Sequence, residues 1–147
     1  MADEVGLPIA CEDDLVVARA RGRALAIELG FSQTDATLIA TAISEIARNI
    51  LVHVGEGKIR LSSVVEDARR GLVVVAEDEG PGIRDLESAL EVGRAARGGL
   101  GLGLPGARRL MDEFEIQSDF DRGTRVTMTK WRIRDELEIL RERRRAS

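Results

Sequence analysis

Two periods of apolar residues divide the chain. Leu15, Ala18, Gly22, Leu25 and Leu29 recur at the three- and four-residue steps of a helix, and Ile39, Ile43, Ile46 and Ile50 repeat the pattern further on. Both stripes predict amphipathic helices with one face on a core. Asp13 or Asp14 can cap the first helix and Gly30 close it, while Ser32-Gln33-Thr34-Asp35 opens the second, which runs to about Val54 before Gly55-Glu56-Gly57. Elsewhere the apolar residues are β-branched and alternate with polar ones, which predicts strands over 5–10, 58–66, 72–78, 113–118 and 124–131. A turn at Arg69-Arg70-Gly71 joins the second and third of these, and Asp121-Arg122-Gly123 joins the last two, so both joins predict antiparallel pairs. A helix over about 105–112 precedes the final hairpin, a weaker helical pattern covers 86–92, and 132–147 is a charged helix with Ile133, Leu137 and Leu140 on one side.

A length of 147 residues, 44% hydrophobic and 33% charged, supports one globular core and is short for two. Tyr is absent and Phe and Trp are scarce, so that core must be built from Val, Leu, Ile and Ala. The formal net charge of -4 argues against a nucleic-acid surface, which would want a basic balance, and favours proteins or small molecules as partners. Cys11 is the single cysteine, so no internal disulfide forms, and no run resembles a signal peptide or a membrane span. A cytoplasmic protein without membrane association is the expectation.

Three stretches carry candidate chemistry. On the second helix Thr41, Glu45, Asn49 and His53 recur every four residues, so they climb one face with Glu45 and Asn49 about 6 Å apart along the axis. Asn is a poor helix former, and its position beside a carboxylate hints at a site, although an exposed Asn gives the same pattern. His53 near the helix end reads as a packing or dipole-complementing residue, and a lone His without Cys or His at ligand spacing speaks against zinc. The second stretch is 72–83, where a strand ends in Glu77-Asp78-Glu79-Gly80-Pro81-Gly82. It delivers the Asp78 carboxylate to a loop mouth, where two glycines let backbone approach a ligand; an acceptor for an exocyclic amine, as on adenine, fits, and so does an ordinary turn. The third is the glycine run from 98 to 106 before a helix, which can hold a phosphate with bare N–H groups at a positive dipole end. Gly101, Gly103 and Gly106 formally match the dinucleotide fingerprint, but the strand that should precede it is missing, as is the Lys-Ser/Thr of a P-loop. Between the second and third stretches, 84–97 is a candidate lid.

Glu45-x-x-x-Asn49, Asp78-x-Gly80-x-Gly82, the glycines at 98–103 and Gly123-Thr124, in this order, resemble the ATP-binding boxes of the GHKL family. Within it, Ser44 through Asn49, Ala76 through Ile83, and Gly98 through Gly106 with Arg109-Leu110-Met111-Asp112-Glu113-Phe114 look like serine/threonine protein kinases of the RsbT type, the switch kinases of the bacterial stressosome. The resemblance covers 1–131 as an ATP-binding kinase domain and leaves 132–147 as a charged helical extension, longer than such kinases lead one to expect. It implies an α/β (α+β) two-layer sandwich, with a mixed, largely antiparallel sheet covered on one face by helices, plus the C-terminal helix. It implies ATP and Mg²⁺ as cofactors, with Asn49 holding the metal, Asp78 accepting the adenine amine, Gly80 and Gly82 giving the base room and Thr124 lying near it. Gly98, Gly99, Leu100, Gly101, Leu102 and Gly103 would wrap the phosphates, and Arg48, His53 and Ile83 would complete the nucleotide site. Glu45 would be the general base that takes the proton of a substrate hydroxyl. The implied substrates are Ser or Thr on STAS-domain scaffold or antagonist proteins, and the freed kinase would activate a metal-dependent serine/threonine phosphatase. Two other functions remain open: an anti-sigma-factor kinase that holds a sigma factor directly, and a nucleotide-gated binding module with little turnover. With no phospho-accepting His module before the domain, a complete histidine kinase is not expected.

Overall fold

A computed structural model describes residues 4–80, 103–119, 123–132, 140, 141 and 143–145. Its elements, in chain order, are β1 (Val5–Ile9), α1 (Glu12–Glu28), α2 (Gln33–His53), β2 (Gly57–Glu66), β3 (Arg69–Asp78), α3 (Gly103–Leu110), β4 (Glu113–Asp119) and β5 (Gly123–Trp131). The strands form one sheet in the order β1-β2-β3-β5-β4, and every pairing is antiparallel.

Alternation along the strands sorts their side chains onto two faces. Leu7, Ile9, Ile59, Leu61, Leu72, Val74, Ala76, Val126 and Met128 all point to the same side, where they are buried with residues of α1, α2 and α3 in one core. Ile39, Ile43, Ile46 and Ile50, the stripe expected of α2, supply its helix layer, together with Ala36, Ala42 and Ala47. A sheet under helices is therefore the whole architecture of the described residues, and it fits the two-layer sandwich. The other face of the sheet is half-exposed. There the Arg60 guanidinium donates to Glu77, Arg69 lies 3.8 Å over the Trp131 ring, and the Trp131 indole N–H donates to Glu113.

Local signals set most boundaries. The Ser32 hydroxyl accepts the Asp35 N–H at 3.0 Å, an ordinary N-cap for α2. On α1 the expected cap at Asp13 or Asp14 is displaced: Cys11 is the N-cap and caps with no side-chain bond, while Asp14 reaches back to accept the Ala10 N–H at 2.9 Å. Glu12, Asp13 and Asp14 in the first turn complement the positive end of the helix dipole instead. Lys130 donates to the Leu110 carbonyl at 3.0 Å and so closes α3 from a neighbouring strand.

The β2–β3 turn also differs from the expectation. It lies at Asp67 and Ala68, both at positive φ (50° and 67°), and Glu66 pairs with Arg69, so Arg69, Arg70 and Gly71 belong to β3. Two positive-φ residues make the two-residue hairpin turn whose twist matches the strands. Gly71, which suggested a turn, answers a packing need: a Cβ there would stand 2.8 Å from Cε3 of Trp131, its partner in β5. The last hairpin does turn at Gly123, where φ is +107° and an added Cβ would lie 2.1 Å from the Asp78 carbonyl oxygen. Only a glycine lets β5 begin that close to the end of β3.

Candidate nucleotide site

Asp78 is the last residue of β3 and lies on the face that carries Val74 and Ala76, so its carboxylate projects from the end of the sheet toward the helix layer. Directly across the strands stand Thr124 on β5 and, beyond it, Ser118 on β4. The three side chains form a row at one end of the sheet. Asp78 Oδ1 accepts the Gly80 N–H at 2.9 Å, which fixes the carboxylate and turns the chain out of the strand. A carboxylate has lone pairs to spare after one such bond. Thr124 is buried at 9% exposure, and its hydroxyl is 2.9 Å from that of Ser118, which also donates to the Gly123 carbonyl at 3.3 Å. The sequence did not single out Ser118; the alternation of the β4–β5 hairpin, extended across the strand pair to Asp78, is the signal that would have found it.

The second set of groups lies on α2. Glu45 and Asn49 are one turn apart; Glu45 is only 7% exposed and Asn49 is half-buried. Burial of a carboxylate this deep is costly unless it is partnered, and Glu45 has such an interaction in the structure. The other two members of the four-residue series differ. Thr41 gives its hydroxyl hydrogen to the Thr37 carbonyl at 2.9 Å on its own helix, and His53 is an exposed last residue of α2. Arg48 forms an ion pair with Glu12 of α1 at 3.4 Å, which ties the two helices together.

Gly103 opens α3, so the glycine run does lead into a helix start. Gly82, Ile83, Gly98, Gly99, Leu100, Gly101 and Leu102 lie outside the described residues, as does the candidate lid at 84–97. Of the terminal extension Arg132 and residues 140, 141 and 143–145 are described; the last five are helical and exposed. A cavity of about 420 Å³ adjoins Asp78 on the opposite side of the sheet, where Lys58, Arg60 and Glu77 alternate with the buried Ile59 and Ala76. It therefore opens away from Glu45 and Asn49. Among the described residues no helix is long and apolar enough to cross a membrane.

The family described as histidine kinase-like ATPase domain matches residues 9–130. The chain is 47% identical over 131 residues to the serine/threonine-protein kinase RsbT of Bacillus subtilis strain 168, covering 89% of this chain and 98% of that protein. It is 33% identical over 111 residues to the anti-sigma F factor of Caldanaerobacter subterraneus subsp. tengcongensis, covering 68% and 76% of the two chains. With the anti-sigma F factor of Clostridium perfringens the identity is 31% over 121 residues, 77% of this chain and 84% of the other.

Proposed function

We propose that this chain, which belongs to the histidine kinase-like ATPase domain family, is a partner-switching kinase that phosphorylates Ser or Thr on STAS-domain scaffold or antagonist proteins and then activates a metal-dependent serine/threonine phosphatase. Serine/threonine kinase activity and the use of ATP follow from the family and from the likeness to the Bacillus subtilis kinase over nearly the full length of both chains. That likeness is the observation that carries the reading. The STAS-domain substrates, the phosphatase, Mg²⁺, a cytoplasmic location and the roles of single residues are our own step beyond it.

Phosphoryl transfer asks little covalent chemistry of a protein; it asks for positioning, charge stabilisation and a group that takes the hydroxyl proton. In our reading Asp78 accepts an N–H of the adenine amine, with Gly80 and Gly82 leaving the base room and Thr124 beside it. Arg48, His53, Ile83 and the backbone N–H groups of 98–103 surround the rest of the nucleotide. Asn49 offers a neutral, hard oxygen of the kind that suits Mg²⁺, an ion that fills its shell mostly with phosphate oxygens and water. The metal, bound with the nucleotide, supplies neutralisation of phosphate charge. Glu45, one turn below Asn49 and largely withdrawn from water, takes the proton of the attacking hydroxyl. The terminal extension from 132 to 147 serves as an appendage for partner contact.

Incubation with labelled ATP and isolated STAS domains tests the proposal. Label on Ser or Thr of the STAS domain, abolished in Glu45→Ala, is the expected result; no transfer to any such domain from a chain that binds ATP would overturn it. The 31–33% identity to anti-sigma F factors favours one second reading, in which the chain also holds a sigma factor. Co-purification with RNA polymerase components would distinguish that case.

A further inference from the structure

Alternation along β5 sets Val126, Met128 and Lys130 on one face, the face that packs under the helices. Lys130 therefore carries a charge into the helix layer, where its side chain is only 13% exposed. A cation withdrawn this far from water is destabilising unless it is bonded. Its ammonium donates to the Leu110 carbonyl at 3.0 Å and reaches Asp112 Oδ1 at 3.5 Å. Asp112 is tied to the same strand twice more: its carboxylate accepts the Trp131 N–H at 2.7 Å, and its own N–H donates to the Thr129 carbonyl at 3.0 Å. Three successive residues of β5 thus grip the C-terminal end of α3 and the turn that follows it.

We propose that Lys130 is a positioning residue: by holding the C-terminal end of α3 to β5, it sets how far the first N–H groups of α3 reach toward the phosphates of the nucleotide. The inference rests on the reading that the phosphates lie against the glycine run and the start of α3. That helix is eight residues long, about 12 Å at 1.5 Å per residue, so Lys130 acts through its length and touches no phosphate. The buried Leu104 and Ala107 press α3 onto the core. Apolar contact is non-directional, however, and resists a slide along the helix axis only weakly. Hydrogen bonds weaken steeply as distance and angle depart from their best values, so the grip on Leu110 and Asp112 fixes the coordinate that packing leaves soft. A slide at one end of a helix this short is the same slide at the other. Charge acts in the same sense, because a cation at the carbonyl end and an anion at the N–H end both complement the helix dipole.

Dissociation constants of adenosine and MgADP, measured by calorimetry on the full chain and its variants, test this. Wild type is expected to bind MgADP more tightly than adenosine. In Lys130→Met, which keeps the length of the side chain and loses its charge, that preference should fall about tenfold, within the range that a charge at a helix end is worth. The fall should come from weaker MgADP, with adenosine unchanged. Lys130→Arg, which still donates to a carbonyl, should restore most of the preference. Loss of stability alone would weaken both ligands alike, and a Lys130→Met preference within about twofold of wild type would overturn the proposal. Asp112→Ala keeps the backbone bond to Thr129 and serves where Lys130→Met does not fold. It should lower the preference about threefold or more, and an unchanged preference there also overturns the proposal. Failure of the underlying reading has its own signature. A wild-type chain that binds MgADP no more tightly than adenosine has no hold on the phosphates for Lys130 to position, whereas a wild-type preference that Lys130→Met retains shows Lys130 alone to be wrongly assigned.

Discussion

Replacing Gly123 by Ala combines two penalties at one atom. The backbone there has φ of +107°, where an L side chain is strained by about 1–2 kcal/mol. The new Cβ would also stand 2.1 Å from the Asp78 carbonyl oxygen, and that oxygen belongs to a strand paired on both sides. Relief requires the ends of β3 and β5 to part, a shift of the kind that costs about 1–3 kcal/mol in overpacked cores. Together these predict a loss of about 2–5 kcal/mol, a large share of the roughly 5–15 kcal/mol that holds an ordinary domain together. Gly22→Ala is the control, since its Cβ would also come within 2.1 Å of an atom, here Cδ1 of Ile43. That atom is the far end of a side chain, which can give way by a turn about χ2 where a paired strand cannot, and alanine inside a helix regains about 1 kcal/mol relative to glycine. Gly22→Ala should therefore cost no more than about 2 kcal/mol, the overpacking penalty less the helical gain. Urea unfolding of both variants, read at unchanged slope, compares them. Because Asp78 is the residue displaced, Gly123→Ala should also shrink the thermal shift given by ADP. If Gly22→Ala proves as damaging as Gly123→Ala, the distinction between backbone and side-chain contacts drawn here is wrong.

MgADP should stabilise the chain by RT ln(1 + [L]/Kd), about 2.7 kcal/mol at a hundredfold excess over Kd, and Asp78→Asn should remove most of that shift, since it sets a donor against the adenine amine; an undiminished shift would move the base elsewhere. Glu45→Ala should bind nucleotide nearly as wild type but lose about 10²–10⁴-fold in single-turnover transfer, whereas Asn49→Ala should lose both; a Glu45→Ala rate within threefold of wild type would sink the general-base role. Ser32→Ala removes the N-cap of α2 and should cost about 1 kcal/mol in urea unfolding, with the nucleotide shift intact; a cost under about 0.3 kcal/mol would show that the bond to Asp35 contributes little.

The stripe of α2 and the strand alternations were legible because burial on one face leaves a period in the sequence, and the structure buries Ile39, Ile43, Ile46 and Ile50 accordingly. The cap of α1 was misplaced because three consecutive acids offer the same local chemistry, and only the end of β1 decides that Asp14 turns back to Ala10. The β2–β3 turn was misread for a similar reason. Gly71 is a turn signal on local grounds, yet it is there for the Trp131 ring, which arrives from far down the chain. At the candidate site, Glu45 and Asn49 announced themselves as polar groups on a largely apolar helix, and Asp78 as a carboxylate where an apolar strand breaks into glycines. Ser118 did not, since serine in an amphipathic strand is unremarkable until the cross-strand register sets it beside Thr124.

Strand order has a consequence for how the protein comes into being. β2 and β3 meet across a two-residue turn and can zip as soon as both exist, but Asp78 gains Thr124 only when β5 crosses to the far side of β3. That contact closes a long loop, the slow kind of step in folding, because chain entropy is lost before the pairing returns anything. On a ribosome, a chain released as far as β4 would hold a finished helix stripe and a finished hairpin yet no walled site for a base. Competence to bind would arrive late and all at once, with the last strand, so that an incomplete copy would hold the carboxylate without the neighbour that completes it.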